Sequence, residues 1–264
     1  MKIAVCIKQV PDTEARLRVA GHGRWLEEDD LKYRTNETDE QAITKALEIA
    51  EKHGGEVIAL SLGPDRAKDS LRKALALDAV RAVHLVDEAF QDGDAAATGR
   101  ALAAVLQKEN VDLVLTGSQS DDVGYGATAS MLAGELGWPH AWLAIGLEIE
   151  EGESSAKVTR EMESGMNEIF RVSLPAVIEV QAGITHPRYP TLRGIMKAKR
   201  KPYDTPTPAD LGLDPATVGL AGSRVEIVDV AFPDTGEGAE VLEGDAAVAA
   251  GALVEKLQRD ARVL

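Results

Sequence analysis

The chain has 264 residues, of which 44 are Asp or Glu and 29 are Lys or Arg, so its formal net charge is −15. This acidic balance argues against general binding to nucleic acid or to an anionic membrane surface, because phosphate would be repelled over most of the protein. Apolar residues make up 44% of the chain and aromatic residues only 4%, which predicts an aliphatic core of the kind found in parallel sheets covered by helices.

Cysteine and histidine usage restricts the possible metal and disulfide chemistry. Cys6 is the single cysteine, which excludes an internal disulfide and a zinc site made of several thiolates. The five histidines show no metal-binding spacing, so we assign no metal. No apolar run approaches the roughly 18 residues of a membrane span, and the first residues lack a signal-peptide core. We therefore expect a cytoplasmic protein without membrane insertion.

The first half of the chain alternates between two patterns. Short, almost wholly apolar runs predict buried strands over residues 2–8, 56–62, 81–86 and 111–117. Helical patterns lie between and after them, over residues 38–53, 67–77, 94–109 and 125–136. A capping box of Thr38 and Gln41 would open the first helix. Strands that alternate with helices form βαβ units, so we predict a doubly wound α/β fold with a mostly parallel sheet.

The second half predicts a different arrangement. Period-two alternation predicts antiparallel strands at the sheet edge, over residues 144–150, 157–162, 168–174 and 176–180. A proline-containing linker then leads through an extended run at 223–232 to a helix at 245–259 that has no sequence neighbour to cover its apolar face. The segment 9–33 is too long for an ordinary loop, and a small hairpin closed at Gly21 and Gly23 would fit within it. We predict one α/β domain over residues 1–204 and a linker with a C-terminal arm over 205–264.

A loop of small polar residues, 117–128, joins the fourth strand to the fourth helix. Ligands bind at this carboxyl edge of open α/β sheets, and a helix start offers free N–H groups to phosphate. Residues 124–129 match G-x-G-x-x-A, but after the fourth strand this is a weak dinucleotide fingerprint, and a flexible loop with a helix cap explains it equally well. Residues 36–39 and the end of the first strand, near Cys6, would share this edge. Together they predict an adenine-nucleotide crevice without a lysine-bearing P-loop, in which Cys6 packs rather than reacts.

The segment 184–202 is basic and stiffened by proline, in a chain that is otherwise acidic. No acidic residue occurs between Glu179 and Asp204. A nucleic-acid patch would need more interleaved aromatic residues, and a solvated helix at 195–201 would leave the prolines and an exposed Leu192 unexplained. One apolar side chain presented within a positive rim is typical of protein docking.

At these residues the chain resembles the beta subunit of electron transfer flavoprotein, the FixA type. The resemblance covers nearly the whole chain and is weakest after Leu213. The motifs that carry it lie between the amino terminus and about residue 202: CIKQVPDT, SLGPDRAKDSLRKALALDAVRAVHL, GSQSDDVGYGATASMLAGELGWPH, VTREMESG, LPAVIEVQAGIT and PRYPTLRGIMKAKRKP. It implies a fold like that of the adenine-nucleotide α-hydrolases and a heterodimer with an alpha subunit that holds FAD. It also implies an electron carrier rather than an enzyme, which accepts electrons from flavoprotein dehydrogenases and passes them to the respiratory chain or another acceptor.

The resemblance further implies a structural AMP in the predicted nucleotide-binding domain. Its contacts, by motif correspondence, would be Cys6, Asn36, Glu37, Thr38, Asp39, Leu62, Gly117, Ser118, Gln119, Ser120, Asp121, Asp122, Val123, Gly124, Tyr125, Gly126, Ala127 and Thr128. The family's Asp-x-Asp-x-x-Gln-x-Gly pattern is altered here over residues 122–129, which favours AMP over the second FAD of electron-bifurcating members. The motif CIKQVPDT, with Thr13, nevertheless resembles the bifurcating type, so that alternative stays open.

The resemblance assigns the remaining motifs to partner binding. Glu161 matches a carboxylate that latches the mobile flavin domain, although Ser164 departs from the family's pattern. The recognition loop for the dehydrogenase would use Leu192 as its inserted side chain, together with Pro187, Arg188, Tyr189 and Arg193. The C-terminal arm would dock on the alpha subunit. A hydrolase or ligase would need a glycine-rich motif after the first strand, which CIKQVPD lacks, and a stand-alone nucleotide-binding protein of the universal-stress type would need neither recognition loop nor arm.

Overall fold

The structure, a computed structural model, describes residues 1–150, 152, 154–234, 236 and 238–263. Its strands are β1 (Lys2–Cys6), β2 (Gln9–Pro11), β3 (Tyr33–Thr35), β4 (Glu56–Leu62), β5 (Arg81–Leu85), β6 (Leu113–Gly117), β7 (His140–Ile149), β8 (Ser155–Glu161), β9 (Asn167–Ser173), β10 (Ala176–Val180) and β11 (Tyr203–Asp204). Its helices are α1 (Glu37–His53), α2 (Lys68–Ala76), α3 (Ala95–Glu109), α4 (Thr128–Leu136), α5 (Leu192–Ala198), α6 (Pro208–Leu211), α7 (Gly219–Gly222) and α8 (Ala246–Lys256).

Nine strands form one sheet in the order β11-β5-β4-β1-β6-β10-β7-β8-β9. Neighbouring strands from β11 to β7 are parallel, and only β8 and β9 are added in antiparallel pairing. The predicted doubly wound α/β fold is therefore confirmed. The placement of β10 at an antiparallel edge was wrong, because it lies between β6 and β7 and is parallel to both. All five of its residues are buried, and such a strand needs partners on both sides and cover on both faces.

The two faces of the sheet have separate hydrophobic cores. On β1, Ile3 and Val5 point to the core covered by α1 and α2, while Ala4 and Cys6 point to the core covered by α3 and α4. This alternation follows from the period of two along a strand. A fully buried leucine such as Leu106 in α3 contributes roughly 2–5 kcal/mol to stability relative to alanine. The two cores fix the carboxyl ends of the central strands at one edge of the sheet.

Two predicted helix starts differ from the observed ones, by one residue for α1 and by three for α4. Helix α1 has Asn36 at its N-cap, without a side-chain cap, so Thr38 and Gln41 do not form a capping box. The Gln41 carboxamide oxygen instead accepts from the backbone N–H of Gly183 (2.7 Å). Helix α4 begins at Thr128 rather than Tyr125, which leaves a longer loop after β6.

The C-terminal arm lies mostly on the surface. Its extended run at 223–232 forms no strand, although the Val230 N–H donates to the Gly23 carbonyl (2.7 Å) in the predicted hairpin, where Val19 and Leu26 form an antiparallel bridge. Helix α8 is capped by the Asp245 side chain and contains no buried residue. Three residues of the predicted arm, at positions 235, 237 and 264, lie outside the described residues. None of the helices in the described ranges is long and apolar enough to cross a membrane.

Candidate functional site

A cavity of about 220 Å³ opens at the carboxyl ends of β1, β4 and β6. The chain adds β4 and β5 on one side of β1 and then crosses to place β6 on the other side, so the cavity lies where the strand order reverses. Open α/β sheets bind ligands at such a switch point. Its lining includes the apolar side chains of Cys6, Leu60, Leu62 and Leu102 and the small and polar residues of the loop after β6.

Most of the residues predicted to contact the nucleotide line this cavity. They are Cys6, Asn36, Asp39, Leu62, Gly117, Ser118, Gln119, Ser120, Val123, Tyr125, Gly126, Ala127 and Thr128. Glu37, Thr38, Asp121, Asp122 and Gly124 do not line it, and several of them hold the loop from behind. The prediction missed the turn before α3, where Asp92, Gly93 and Asp94 form part of the wall. This turn follows β5 at the same sheet edge, and its DGD sequence was the available signal.

Asn36 connects the loop to the rest of the site. Its side-chain Nδ2 donates to the Gln119 carbonyl (2.9 Å) and to the Thr38 hydroxyl (3.1 Å), while its Oδ1 accepts from the Asp121 N–H (3.0 Å). Its backbone N–H donates to the Lys8 carbonyl (2.9 Å). Since Asn36 is only 2% exposed, these bonds are protected from water. One asparagine therefore ties the end of β1, the start of α1 and the loop together.

Asp39 supports the ends of β1 and β6 from α1. Its two carboxylate oxygens accept from the backbone N–H groups of Lys8 (2.8 Å) and Gly117 (2.9 Å). Burial raises the pKa of Asp39 to about 7, although these N–H groups, the Asn36 side chain and the charge of Lys8 oppose the rise. Gly117 is required at this point, because a Cβ there would lie 2.2 Å from the Thr38 hydroxyl and 2.3 Å from the Asp39 carboxylate.

Lys8 lies at the polar end of the cavity. Its ammonium pairs with the Asp122 carboxylate (2.7 Å) and lies 3.4 Å from the Ser120 hydroxyl. Burial alone would raise the pKa of Asp122, but the charge and hydrogen bond of Lys8 keep it below its usual value. The carboxylate is thus an internal partner of Lys8 and holds the loop closed, which explains why it does not line the cavity.

The amino-terminal turn of α4 faces the same end of the cavity. Thr128 and Ala129 line the wall, and no side chain caps the helix at Ala127. Gly124 and Gly126 adopt left-handed backbone angles (φ 59° and 57°), which glycine tolerates without strain and which bring the chain tightly around to the helix start. Uncapped N–H groups at a helix start form a site for an anion such as phosphate.

The basic segment presents Leu192 to solvent. Leu192 is 82% exposed and is the first residue of α5, while Thr191 caps the helix by accepting from the Gly194 N–H (3.1 Å). Tyr189 is likewise exposed, at 83%. The Arg188 guanidinium makes two hydrogen bonds to the Glu51 carboxylate on α1 (2.5 and 2.8 Å). This pair raises the pKa of Arg188 and anchors the segment to the domain.

Comparison with known proteins places the chain in a family. Residues 24–211 match the family model described as electron transfer flavoprotein domain. An electron transfer flavoprotein subunit beta from Methylophilus methylotrophus is 37% identical over 257 residues, which cover 97% of each chain. The chain belongs to the family of electron transfer flavoprotein beta subunits. Its relatives with this name include one from Bradyrhizobium diazoefficiens, 35% identical over the whole of both chains, and one from Dictyostelium discoideum, 32% identical over 92% of this chain and 93% of the relative.

The residues that line the cavity are better suited to binding a ligand than to catalysis. Burial, with a smaller contribution from the negative charge of Asp39, raises the pKa of the Cys6 thiol to about 12, so the thiolate nucleophile does not form near neutral pH.

Glu161, the predicted latch, lies exposed at the end of β8. The following turn holds Ser164 in a left-handed conformation (φ 63°), which glycine adopts with less strain than serine.

Proposed function

We propose that this chain is the beta subunit of a heterodimeric electron transfer flavoprotein and binds AMP as a structural nucleotide. It supports the FAD-holding domain of the alpha subunit and presents Leu192 to a flavoprotein dehydrogenase. Electrons from the dehydrogenase then reach the respiratory chain or another acceptor through the flavin of the alpha subunit. In this proposal the chain is a cytoplasmic carrier subunit rather than an enzyme.

The observation that carries the AMP assignment is that the cavity is lined both by polar groups that suit a phosphate and by apolar side chains that suit an adenine ring. The uncapped start of α4, with Ser118 nearby, provides N–H and hydroxyl groups for one phosphate. Leu60 and Leu102 provide an apolar wall for the adenine ring. The small residues of the loop leave room for the backbone to approach the phosphate and ribose closely. Such a nucleotide contacts β1, β4, β6 and α4 together, so it stabilises the native fold by mass action.

The proposal that Leu192 docks on the dehydrogenase depends on two features: Leu192 is exposed, and the segment that carries it is anchored to the domain. Leu192 projects from a segment that is fixed at one side by the Arg188–Glu51 pair and at the other by the packing of Gly194, whose Cα lies close to the Ala76 carbonyl. A preordered segment loses little conformational entropy when it binds. The exposed basic residues Arg193, Lys197 and Lys199 lie in the same segment as Leu192 and favour an acidic partner surface.

A second FAD in place of AMP is the competing assignment. It is favoured by a further cavity of about 270 Å³ that shares Ser118, Gln119 and Gly126 with the first and offers space beyond the phosphate end. Acid extraction of the purified chain, followed by chromatography, separates the two assignments. We expect one AMP per chain and no visible flavin absorbance from the chain alone. Stoichiometric FAD in the extract would show that the nucleotide assignment is wrong, and a chain free of any nucleotide would show that the cavity is not a nucleotide site.

A further inference from the structure

The second cavity lies between the strand ends of β7 and β10. Its remaining wall is formed by Trp142, Leu143, Glu179 and Gln181. At this point β7 contains an irregularity opposite residues 178–180, and Leu143 takes a left-handed conformation (φ 53°). The two cavities meet at the start of α4, since Gly126 belongs to both. A phosphate at that helix start would therefore stand between them.

Glu179 is the one acidic group in the wall of the second cavity, and its side chain is only 6% exposed. It points to the same face of the sheet as Val177, two residues earlier, which packs in the core that α3 and α4 cover. Its carboxylate accepts a hydrogen bond from the backbone N–H of Leu143. Burial raises the pKa of Glu179 to about 7, which shows how weakly its charge is compensated.

No cation in the described part of the chain neutralises this carboxylate. The nearest basic group is the His140 Nε2, 3.9 Å from the Glu179 carboxylate, and it forms no hydrogen bond. Burial also lowers the pKa of His140, which keeps the ring neutral. The other cations nearby are already engaged, Lys8 with Asp122 and Arg160 with Glu168. A second anion that entered this cavity above about pH 7 would meet an uncompensated negative charge.

We propose that Glu179 makes the site selective for a nucleoside monophosphate over a nucleoside diphosphate or FAD. The inference rests on the proposed AMP site and adds the residue that sets its specificity. A single phosphate is held on the near side by the N–H groups of α4. Any further phosphate that continues into the second cavity approaches the Glu179 carboxylate, and like charges in a partly buried site repel strongly because water screens them poorly. Glu179 thus acts by excluding the longer ligand rather than by contacting the shorter one.

Exchange at equilibrium tests this selectivity in the full-length chain. The wild type, Glu179→Gln and Glu179→Asp are each dialysed at pH 8 against equimolar AMP and ADP, and in a second series against AMP and FAD. The bound nucleotides are then extracted and separated by chromatography. Gln keeps an oxygen that accepts the Leu143 N–H, so the fold is retained. Glu148→Gln is the matched control, because it removes an exposed carboxylate at the far end of β7.

In Glu179→Gln, we expect the AMP:ADP and AMP:FAD ratios to fall by about tenfold, which corresponds to about 1.4 kcal/mol. Glu179→Asp retains the charge and should stay within about twofold of the wild type, as should Glu148→Gln. Unchanged ratios in Glu179→Gln, or an equal fall in Glu148→Gln, would overturn the selectivity inference. A wild-type chain that takes up no nucleotide at all would instead refute the AMP site itself.

Discussion

Replacing Asn36 with alanine should loosen the loop after β6 and weaken nucleotide binding. The substitution removes three side-chain hydrogen bonds, to the Gln119 carbonyl, the Asp121 N–H and the Thr38 hydroxyl, all within 3.1 Å. Each such bond contributes about 1 kcal/mol net, and a buried group left unpaired adds about 1–3 kcal/mol. The Gln119 carbonyl keeps a weak contact with Thr38 (3.4 Å), and the loop can open to water. We therefore expect a loss of about 2–4 kcal/mol in the free energy of unfolding.

Urea unfolding at saturating AMP and without added AMP measures this effect. The variant should lose stability in both conditions, and the extra stabilisation that AMP provides should shrink, because a loosened loop raises the dissociation constant. Asn167→Ala is the control, since this asparagine lies exposed on β9. If Asn36→Ala unfolds within about 0.5 kcal/mol of the wild type and retains its bound nucleotide, Asn36 does not hold the site together.

Three other perturbations address docking, assembly and pH. Leu192→Ala should raise the half-saturating concentration for reduction by the cognate dehydrogenase by about one to two decades, because roughly 1.5–3 kcal/mol of burial is lost; an unchanged half-saturating concentration would show that the segment is structural. Deleting residues 232–264 should leave the domain folded, because α8 contains no buried residue. The deletion should nevertheless abolish the 1:1 complex with the alpha subunit in sizing chromatography, and a surviving complex would show that the arm is not an anchor. Because the folded pKa of Glu179 is about 7 and the unfolded value about 4.3, its contribution to stability is full below about pH 4 and lost as pH rises through 7. Glu179→Gln should therefore gain about 2–3 kcal/mol relative to wild type between pH 5 and pH 8 in urea unfolding, and parallel pH profiles would contradict the raised pKa.

The local patterns of the first half of the chain were sufficient to predict its fold. The run at residues 56–62 is found as β4 with the same bounds, and the helix predicted over 94–109 is found as α3, with Asp94 as its N-cap. Hydrophobic periodicity shows which side of each strand or helix is buried. In a βαβ chain, this information, the order of the elements and the right-handed crossovers together leave few possible topologies. The position of β10 could not be read in this way. The chain leaves the sheet through β8 and β9 and returns to its interior, and this pairing is not encoded in local periodicity.

The sequence predicted most of the residues at the site, but not which of them line the cavity and which hold the loop in place. The loop at 117–128 was found because it follows a predicted strand, and residues 36–39 were found because they precede the first predicted helix. Asp122 was expected among the nucleotide contacts, yet it pairs with Lys8, which is 114 residues away in the chain. Glu179 was missed because it occurs in an apolar run. A single acidic residue in such a run is expected at a solvent-facing position of an alternating strand. Only the parallel pairing of β10 with β6 and β7 shows that this carboxylate is buried beside the cavity.

Electron density in the two cavities of the purified heterodimer would test the nucleotide assignment most directly. We expect one AMP, with its phosphate at the amino-terminal turn of α4, its adenine against Leu60 and Leu102, and no ligand density beside Glu179. Continuous density for FAD that runs from the first cavity past Gly126 into the second, or a first cavity that holds only water, would contradict both the AMP site and the selectivity assigned to Glu179.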